Sequence, residues 1–182
     1  MAMDREQVLR DAAGLLMRKS GATLDEVARA AGISRATLNR HFAGREALVR
    51  ALEDLGIAEC EGALAKAQIE GGSAANAVRR MVRELEPSAG LLAFLYTENQ
   101  LFEGDEQNEG WARLDADLVA LFRRGQEAGE FRLELSPVWM AEALCGLVVS
   151  GAWAVSEGRL ARNDFTPMIA ELLLGGAVRR DR

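Results

Sequence analysis

Apolar residues recur along this chain with the period of a helix, and nowhere with the sustained alternation of a strand. The first such stretch, predicted as a helix over 4–19, places Val8, Ala12, Leu15 and Leu16 on one side. Asp4 and Glu6 suit its positive end and Arg18 and Lys19 its negative end. Ser20-Gly21 stops it. Leu24, Val27, Ala28 and Ala31 then follow at i, i+3, i+4 and i+7. Just before them, Thr23 and Glu26 are spaced as a capping box, in which each side chain satisfies an orphan amide of the helix start. Gly32 can end that helix with a positive φ. Ser34 caps a second one, with Ile33 placed to staple onto Leu38. Residues 22–42 therefore predict two short helices joined by a sharp turn. Ala28 is small enough to let them cross closely, and the first helix should lie across their back.

Further along, Leu48, Leu52, Leu55 and Leu64 keep a helical stripe over 45–69, a span of roughly 36 Å. Gly56 and Gly62 inside it each cost about 1 kcal/mol relative to Ala. Residues 70–73 form a linker. More helices are expected over 74–86, closed by Pro87, then over 91–102, the most aromatic segment, and over 111–129. The acidic stretch 103–110 lacks a calcium-loop pattern and reads as a solvated loop. Pro137 opens a run to Val155 that is apolar except for Glu142 and Ser150. It is marginal as a membrane span, being barely long enough and holding an acid, so a helix buried on nearly all sides is expected. A last helix is expected over 164–178. About nine helices and no convincing strand predict an all-α chain, divided into a three-helix head (1–47) and a helical body (48–182).

The pattern over 22–42 is that of a helix-turn-helix, whose second helix lies in the DNA major groove with its N-terminal residues at the base edges. Its outward residues are Arg35, Ala36, Thr37, Asn39 and Arg40. Arg can read guanine, Asn adenine, and Ala or Thr the thymine methyl. Residues 27–45 contain no Asp or Glu, which favours this reading over a helical hairpin inside an ordinary core.

Charge refines the picture. The chain carries a net −6, at first sight a poor match for DNA. Residues 1–50, however, hold nine Lys and Arg against six Asp and Glu, while residues 51–182 hold thirteen against twenty-two. A basic head on an acidic body turns the head toward phosphates. Hydrophobic residues make up 49% of the chain and charged residues 27%, the balance of a soluble globular protein. Cys60 and Cys145 are too few for a disulfide framework and read as buried small hydrophobes. No Cys or His cluster has zinc spacing, so neither a metal nor a cofactor is expected. The N-terminus lacks the layout of a signal peptide, and a cytoplasmic location is expected.

Three blocks carry a family resemblance: Gly21-Ala-Thr-Leu-Asp-Glu-Val-Ala, Ala31-Gly-Ile-Ser-Arg-Ala-Thr-Leu, and His41-Phe-Ala-Gly-Arg-Glu-Ala-Leu. Together they resemble the N-terminal domain of tetracycline-repressor-like (TetR) regulators from about Val8 to Leu52. Two positions depart from the family pattern. Asn39 stands where the family usually has a Tyr that contacts a DNA phosphate, and Arg45 replaces the usual Lys and keeps its charge. The candidate DNA contacts are thus Thr23 and Ser34 at the helix starts, Arg35, Ala36, Thr37, Asn39 and Arg40 on the second helix, and His41 and Arg45 facing the backbone. The stretch 129–137 also resembles the connection between the family's seventh and eighth helices.

A helix-turn-helix reader usually works as a pair about 34–36 Å apart on a palindromic operator, so the body should form a homodimer. Gly146 and Gly151 allow close helix crossing. Leu144, Leu147, Val148, Gly151, Ala152 and Val155, with Ile169, Leu172 and Leu173 of the last helix, are the candidate interface for a four-helix contact. The family resemblance implies the same two helices. Aromatics spread over several body helices suggest a cavity between them. Its candidate lining is Phe94, Glu98, Phe102, Trp111, Leu114, Leu118, Trp139 and Glu142, with Asn99 a further polar candidate. The polar groups there are acidic, and no Lys or Arg lies between Arg83 and Arg113. An apolar effector that is neutral or cationic is therefore expected, since an anion would be buried without a partner. The reading that results is a ligand-responsive transcriptional regulator, most simply a repressor. The alternatives are a helix-turn-helix protein without a small-molecule inducer, acting through DNA or protein partners only, and an enzyme. The enzyme reading finds no placed nucleophile, base or metal set, and the single His lies in the head.

Overall fold

The computed structural model of the chain describes residues 5–98 and 108–178. Among them run nine α-helices: α1 (Arg5–Arg18), α2 (Leu24–Ala30), α3 (Arg35–His41), α4 (Arg45–Ala67), α5 (Ala74–Leu85), α6 (Ala89–Thr97), α7 (Glu109–Glu127), α8 (Pro137–Ser156) and α9 (Phe165–Ala177). The extended pairing among the described residues is a single antiparallel bridge between Phe131 and Val178.

The head closes as its caps dictate. Thr23 accepts from the Glu26 amide while the Glu26 carboxylate accepts from the Thr23 amide at 2.9 Å, a complete capping box. Gly32 takes φ +65° between α2 and α3, and the Ser34 side chain accepts from the Thr37 amide. Leu16 of α1, Leu38 of α3, and Leu48 and Leu52 of α4 are fully buried together. Burying each contributes about 1.5–3 kcal/mol relative to leaving it in water. Across the seam, the Arg5 guanidinium lies 5.0 Å above the Phe42 ring centroid and ties the start of α1 to the end of α3.

The boundary expected at residue 47 lies near the start of α4. The head's core runs on through Val49, Ala51 and Leu52 and takes in Leu91, Phe94 and Leu95 of α6. Head and body thus share two elements. Gly56 of α4 makes this possible: a Cβ there would sit 2.5 Å from Leu95 Cδ1 and 3.7 Å from Trp111. The expected helical cost of Gly56 is offset by the close approach of α6 and α7. No such contact exists at Gly62.

Three expectations for the body change. Pro87 does not separate two helices widely; Glu86–Ser88 form a 3-10 turn that leads straight into α6. That helix begins at Ala89 and ends at Thr97, and the rest of the stretch expected to 102 lies outside the described residues. Nor is α8 buried on nearly all sides. It is long and apolar enough to cross a membrane, yet only 39% of it is buried within the chain, because one side meets α6, α7 and α9 while the other faces outward. Glu130 fastens the linker to the body, accepting from the Ser73 hydroxyl at 2.6 Å and from the Ala74 and Ala75 amides at 2.9 and 3.0 Å, which satisfies the start of α5.

Candidate functional site

The outward face of α3 is set by burying Leu38 on the opposite side. Arg35, Ala36, Asn39 and Arg40 are exposed there, and Thr37 is half-buried. Thr37 and Ser34 also share a hydroxyl contact of 3.0 Å at the helix start, and Thr23 is exposed at the start of α2. Arg35 is held at 2.6 Å by Asp25 of α2, both side chains half in water. This pair presents the guanidinium beside the helix start instead of leaving it loose. His41 is half-buried with its ring 6.1 Å from Phe42.

Arg45 is the exception. Expected on the DNA backbone, its guanidinium instead donates to the carbonyls of Ser20 (2.8 Å) and Ala22 (3.1 Å) and to Glu98 at 3.0 Å. Its position at the start of α4, behind the α1–α2 turn, points it inward. Glu98, expected in the cavity, is the other half of this pair: it caps the end of α6 and is only 13% exposed in its side chain.

The body holds a partly open cavity of about 270 Å³ between α4, α6, α7 and α8. Of the expected lining, Trp111, Leu114, Leu118 and Glu142 are there. Phe94 is not, because it faces the head's core and is 2% exposed. Trp139 is not either; it sits near the start of α8 on the outward side, 65% exposed, and closes nothing. Phe102 and Asn99 lie outside the described residues. Tyr96, Asp115, Cys60 and Cys145 complete the polar and soft part of the wall. Asp115 was not among the expected residues, although its signal was available: it lies four residues after Trp111 and three before Leu118, on the face the cavity needs. Loss of solvent raises the pKa of the Asp115 carboxyl. Burial, and then the neighbouring Cys145, pushes the Cys60 thiol up to about 12; burial, and then Asp115 and Glu142, does the same for Cys145. The cavity is mainly apolar, with acids as its charged groups.

The Trp111 indole N–H donates to Glu53 of α4 at 3.0 Å, and Glu53 is itself buried at 8% exposure. A wall residue is therefore bonded to the helix that starts in the head.

The expected interface residues divide. Leu144 (0% exposed) and Val148 (2%) line the cavity, and Ala152, Ile169 and Leu173 are buried within the chain. Gly151 faces α9, where a Cβ would meet Ile169 Cδ1 at 2.8 Å and Phe165 Cε2 at 2.9 Å, so its smallness serves the α8–α9 crossing. These six face inward because the inner sides of α8 and α9 carry the chain's own core. Val155 is half-buried. Leu147, half-buried, and Leu172, 67% exposed, lie on the outward side with Trp139 and Met168.

Residues 11–52 match the family described as "Bacterial regulatory proteins, tetR family". The HTH-type transcriptional regulator NfxB of Pseudomonas aeruginosa is 30% identical over 174 residues, covering 94% of this chain and 93% of that one. The HTH-type transcriptional repressor LfrR of Mycolicibacterium smegmatis is 27% identical over 178 residues, covering 96% and 90%. Among solved structures, LfrR in complex with proflavine superposes with a TM-score of 0.79 at 24% identity, covering 97% of each chain. AibR in complex with isovaleryl coenzyme A and operator DNA superposes with a TM-score of 0.72 at 20% identity, covering 94% of this chain and 98% of that one. A capped helix-turn-helix, a long helix shared by head and body and a relative of this identity over nearly its full length together settle the class: the chain belongs to the TetR family of bacterial transcriptional regulators.

Proposed function

We propose that this regulator is a cytoplasmic, dimeric repressor that leaves its palindromic operator when a mainly apolar, neutral or cationic molecule fills the 270 Å³ cavity. The observation that carries this reading is the course of α4. Cys60 and Leu64 on its second half line the cavity, Glu53 and Gly56 at its middle meet Trp111 and Leu95 of the wall, and Arg45 at its first turn holds the head. A ligand that moves Trp111 or Leu95 acts on a rigid element of about 35 Å, counted from its 23 residues, whose far end bears on the DNA-reading unit. It shifts the dimer toward states whose two heads no longer match the groove spacing.

Charge selects the effector. Asp115 and Glu142 lie at the cavity, while Arg113 is turned away to Glu61 at 3.3 Å. An anion would find no partner, whereas a cation would find two. That LfrR has been crystallised with proflavine supports the same class. The volume of this mainly apolar cavity also favours this reading over a regulator without a small-molecule inducer.

The outward stripe of Trp139, Ala143, Gly146 and Leu147 on α8, with Met168 and Leu172 on α9, is the dimer surface in this reading. An exposed apolar face of this kind marks an interaction site.

Proflavine, a planar aromatic cation, is the test compound. It should release the protein from operator DNA, and Leu118→Trp, which fills the cavity, should keep DNA binding and lose that release. Release by proflavine that survives Leu118→Trp would place the effector elsewhere.

A further inference from the structure

A second cleft, of about 310 Å³, lies where the head meets the body and shares no lining residue with the effector cavity. One wall is the middle of α1 (Gly14 and Met17), another is Leu55 of α4, and the floor is the 3-10 turn leading into α6. The C-terminal half of α8 and Phe165 of α9 close the far side. Two features separate it from a packing defect.

The first is Ser88. It is 92% buried, as its 8% exposure implies, and it lines the cleft. Its side chain makes no capping bond at the start of α6, and its hydroxyl has no hydrogen-bond partner among the described residues. A hydroxyl on the wall of an apolar cleft offers a bound molecule one hydrogen bond in exchange for the one it makes to water. No side-chain nitrogen or oxygen is both sealed and unbonded among the described residues, so the Ser88 oxygen is reached from the open side of the cleft.

The second is the charge at the mouth, which is already matched. Arg10 holds Glu59 at 2.8 Å and Glu6 at 2.7 Å, and Arg162 holds Glu86 at 3.4 Å. An ionic ligand would have to break one of these pairs, whereas a neutral one leaves them intact.

We infer that this cleft is a second ligand site, for a small neutral aromatic or aliphatic molecule carrying one hydroxyl or carbonyl that bonds to Ser88. Met17, Leu55, Leu91 and Phe165 supply its apolar contact. A molecule there touches the head through α1 and the outward-facing helices α8 and α9 at once. The site does not depend on what fills the effector cavity.

The probe is 2-naphthol, neutral at pH 7, with one hydroxyl and fluorescence that reports its surroundings. Gly14→Leu fills the cleft from α1, where an added Cβ meets nothing nearer than the end of Arg18 at 3.9 Å; replacing a helical Gly also favours the helix. Ser88→Ala removes the hydroxyl alone, and Leu118→Trp blocks the effector cavity. Circular dichroism confirms each fold before titration. In the Leu118→Trp background 2-naphthol should bind with a stoichiometry of one per chain. Ser88→Ala should weaken that binding roughly threefold to tenfold, the range of one neutral hydrogen bond. Gly14→Leu, or Gly14→Met should the first not fold, should weaken it by more than about tenfold. No binding once the effector cavity is blocked, or binding indifferent to Ser88→Ala and to both Gly14 changes, would overturn the assignment.

Discussion

Arg45 donates to Glu98 at 3.0 Å and, with the same guanidinium, to the carbonyls of Ser20 and Ala22, so one side chain joins the α1–α2 turn, the start of α4 and the end of α6. In the TetR pattern this position suggests a phosphate contact. Here the cation is partly buried at 32% side-chain exposure and directs hydrogen bonds to these three groups. Arg45→Ala would leave a mostly buried carboxylate and two carbonyls without their donor. It should cost about 1.5–3 kcal/mol in urea unfolding, the range of a hydrogen bond to a charged group, and should change the salt dependence of DNA binding little. A loss of stability under about 0.5 kcal/mol, the size of an ordinary surface substitution, with a clear drop in salt slope, would return Arg45 to the phosphate backbone.

On the recognition helix the roles differ by position. Arg35 beside the helix start should read a base; its replacement by Ala should cost about 1–3 kcal/mol on the preferred operator and relax the choice at one position. Arg40, exposed in the last turn of α3, should act on the backbone. Arg40→Ala should weaken all sequences alike and lower the salt slope by about one. Binding selections on randomised duplexes separate the two, and an equal, uniform loss for both variants would contradict the division.

The head was legible because its signals are local. A capping box, a turn glycine and a second cap each involve residues within a few positions of one another, and Thr23, Gly32 and Ser34 do what their spacing implies. The body was legible as helices but not as surfaces. Period alone cannot tell which side of an apolar helix meets its own chain, and so Leu144, Val148 and Gly151, which face inward, looked equivalent to Leu147 and Leu172, which do not. Phe94 and Trp139 were misplaced for the same reason: an aromatic at helical spacing fits a cavity, a core or an exposed face equally well. Glu98 could not be paired with Arg45 from sequence, because their contact spans 53 positions.

That division of α8 and α9 changes which substitution should split a dimer. Gly151→Leu would drive a side chain into Phe165 and Ile169 of the same chain, costing about 1–3 kcal/mol of fold stability. Leu172→Glu, on a side chain 67% exposed, should leave the chain folded and yield monomers. Sedimentation velocity distinguishes them, and a Leu172→Glu protein that remains dimeric would move the interface away from this face.

The two cavity thiols provide a pH test. Burial holds Cys60 and Cys145 protonated up to about 12, against an ordinary value of 9.0. Because the unfolded chain ionises first, stability should fall as pH rises from about 9 toward 12, and the double change to Ala should flatten that fall. At neutral pH both should react slowly with iodoacetamide, since the thiolate is the nucleophile. Bound proflavine should slow them further. Alkylation as fast as that of a free thiol would contradict the burial of these two thiols in the cavity wall.

Operator binding measured by fluorescence anisotropy, across salt concentrations and with and without proflavine, tests the central claim most directly. Genomic fragments captured by the protein supply the duplex. Affinity should exceed that for random DNA by about a thousandfold or more and fall linearly in log–log form with salt. Saturating proflavine should weaken it by about fivefold to 150-fold, the usual span of an allosteric coupling. Affinity no greater than for random sequence would contradict the reading of the head, and specific binding unmoved by proflavine would contradict the coupling of the cavity to DNA through α4.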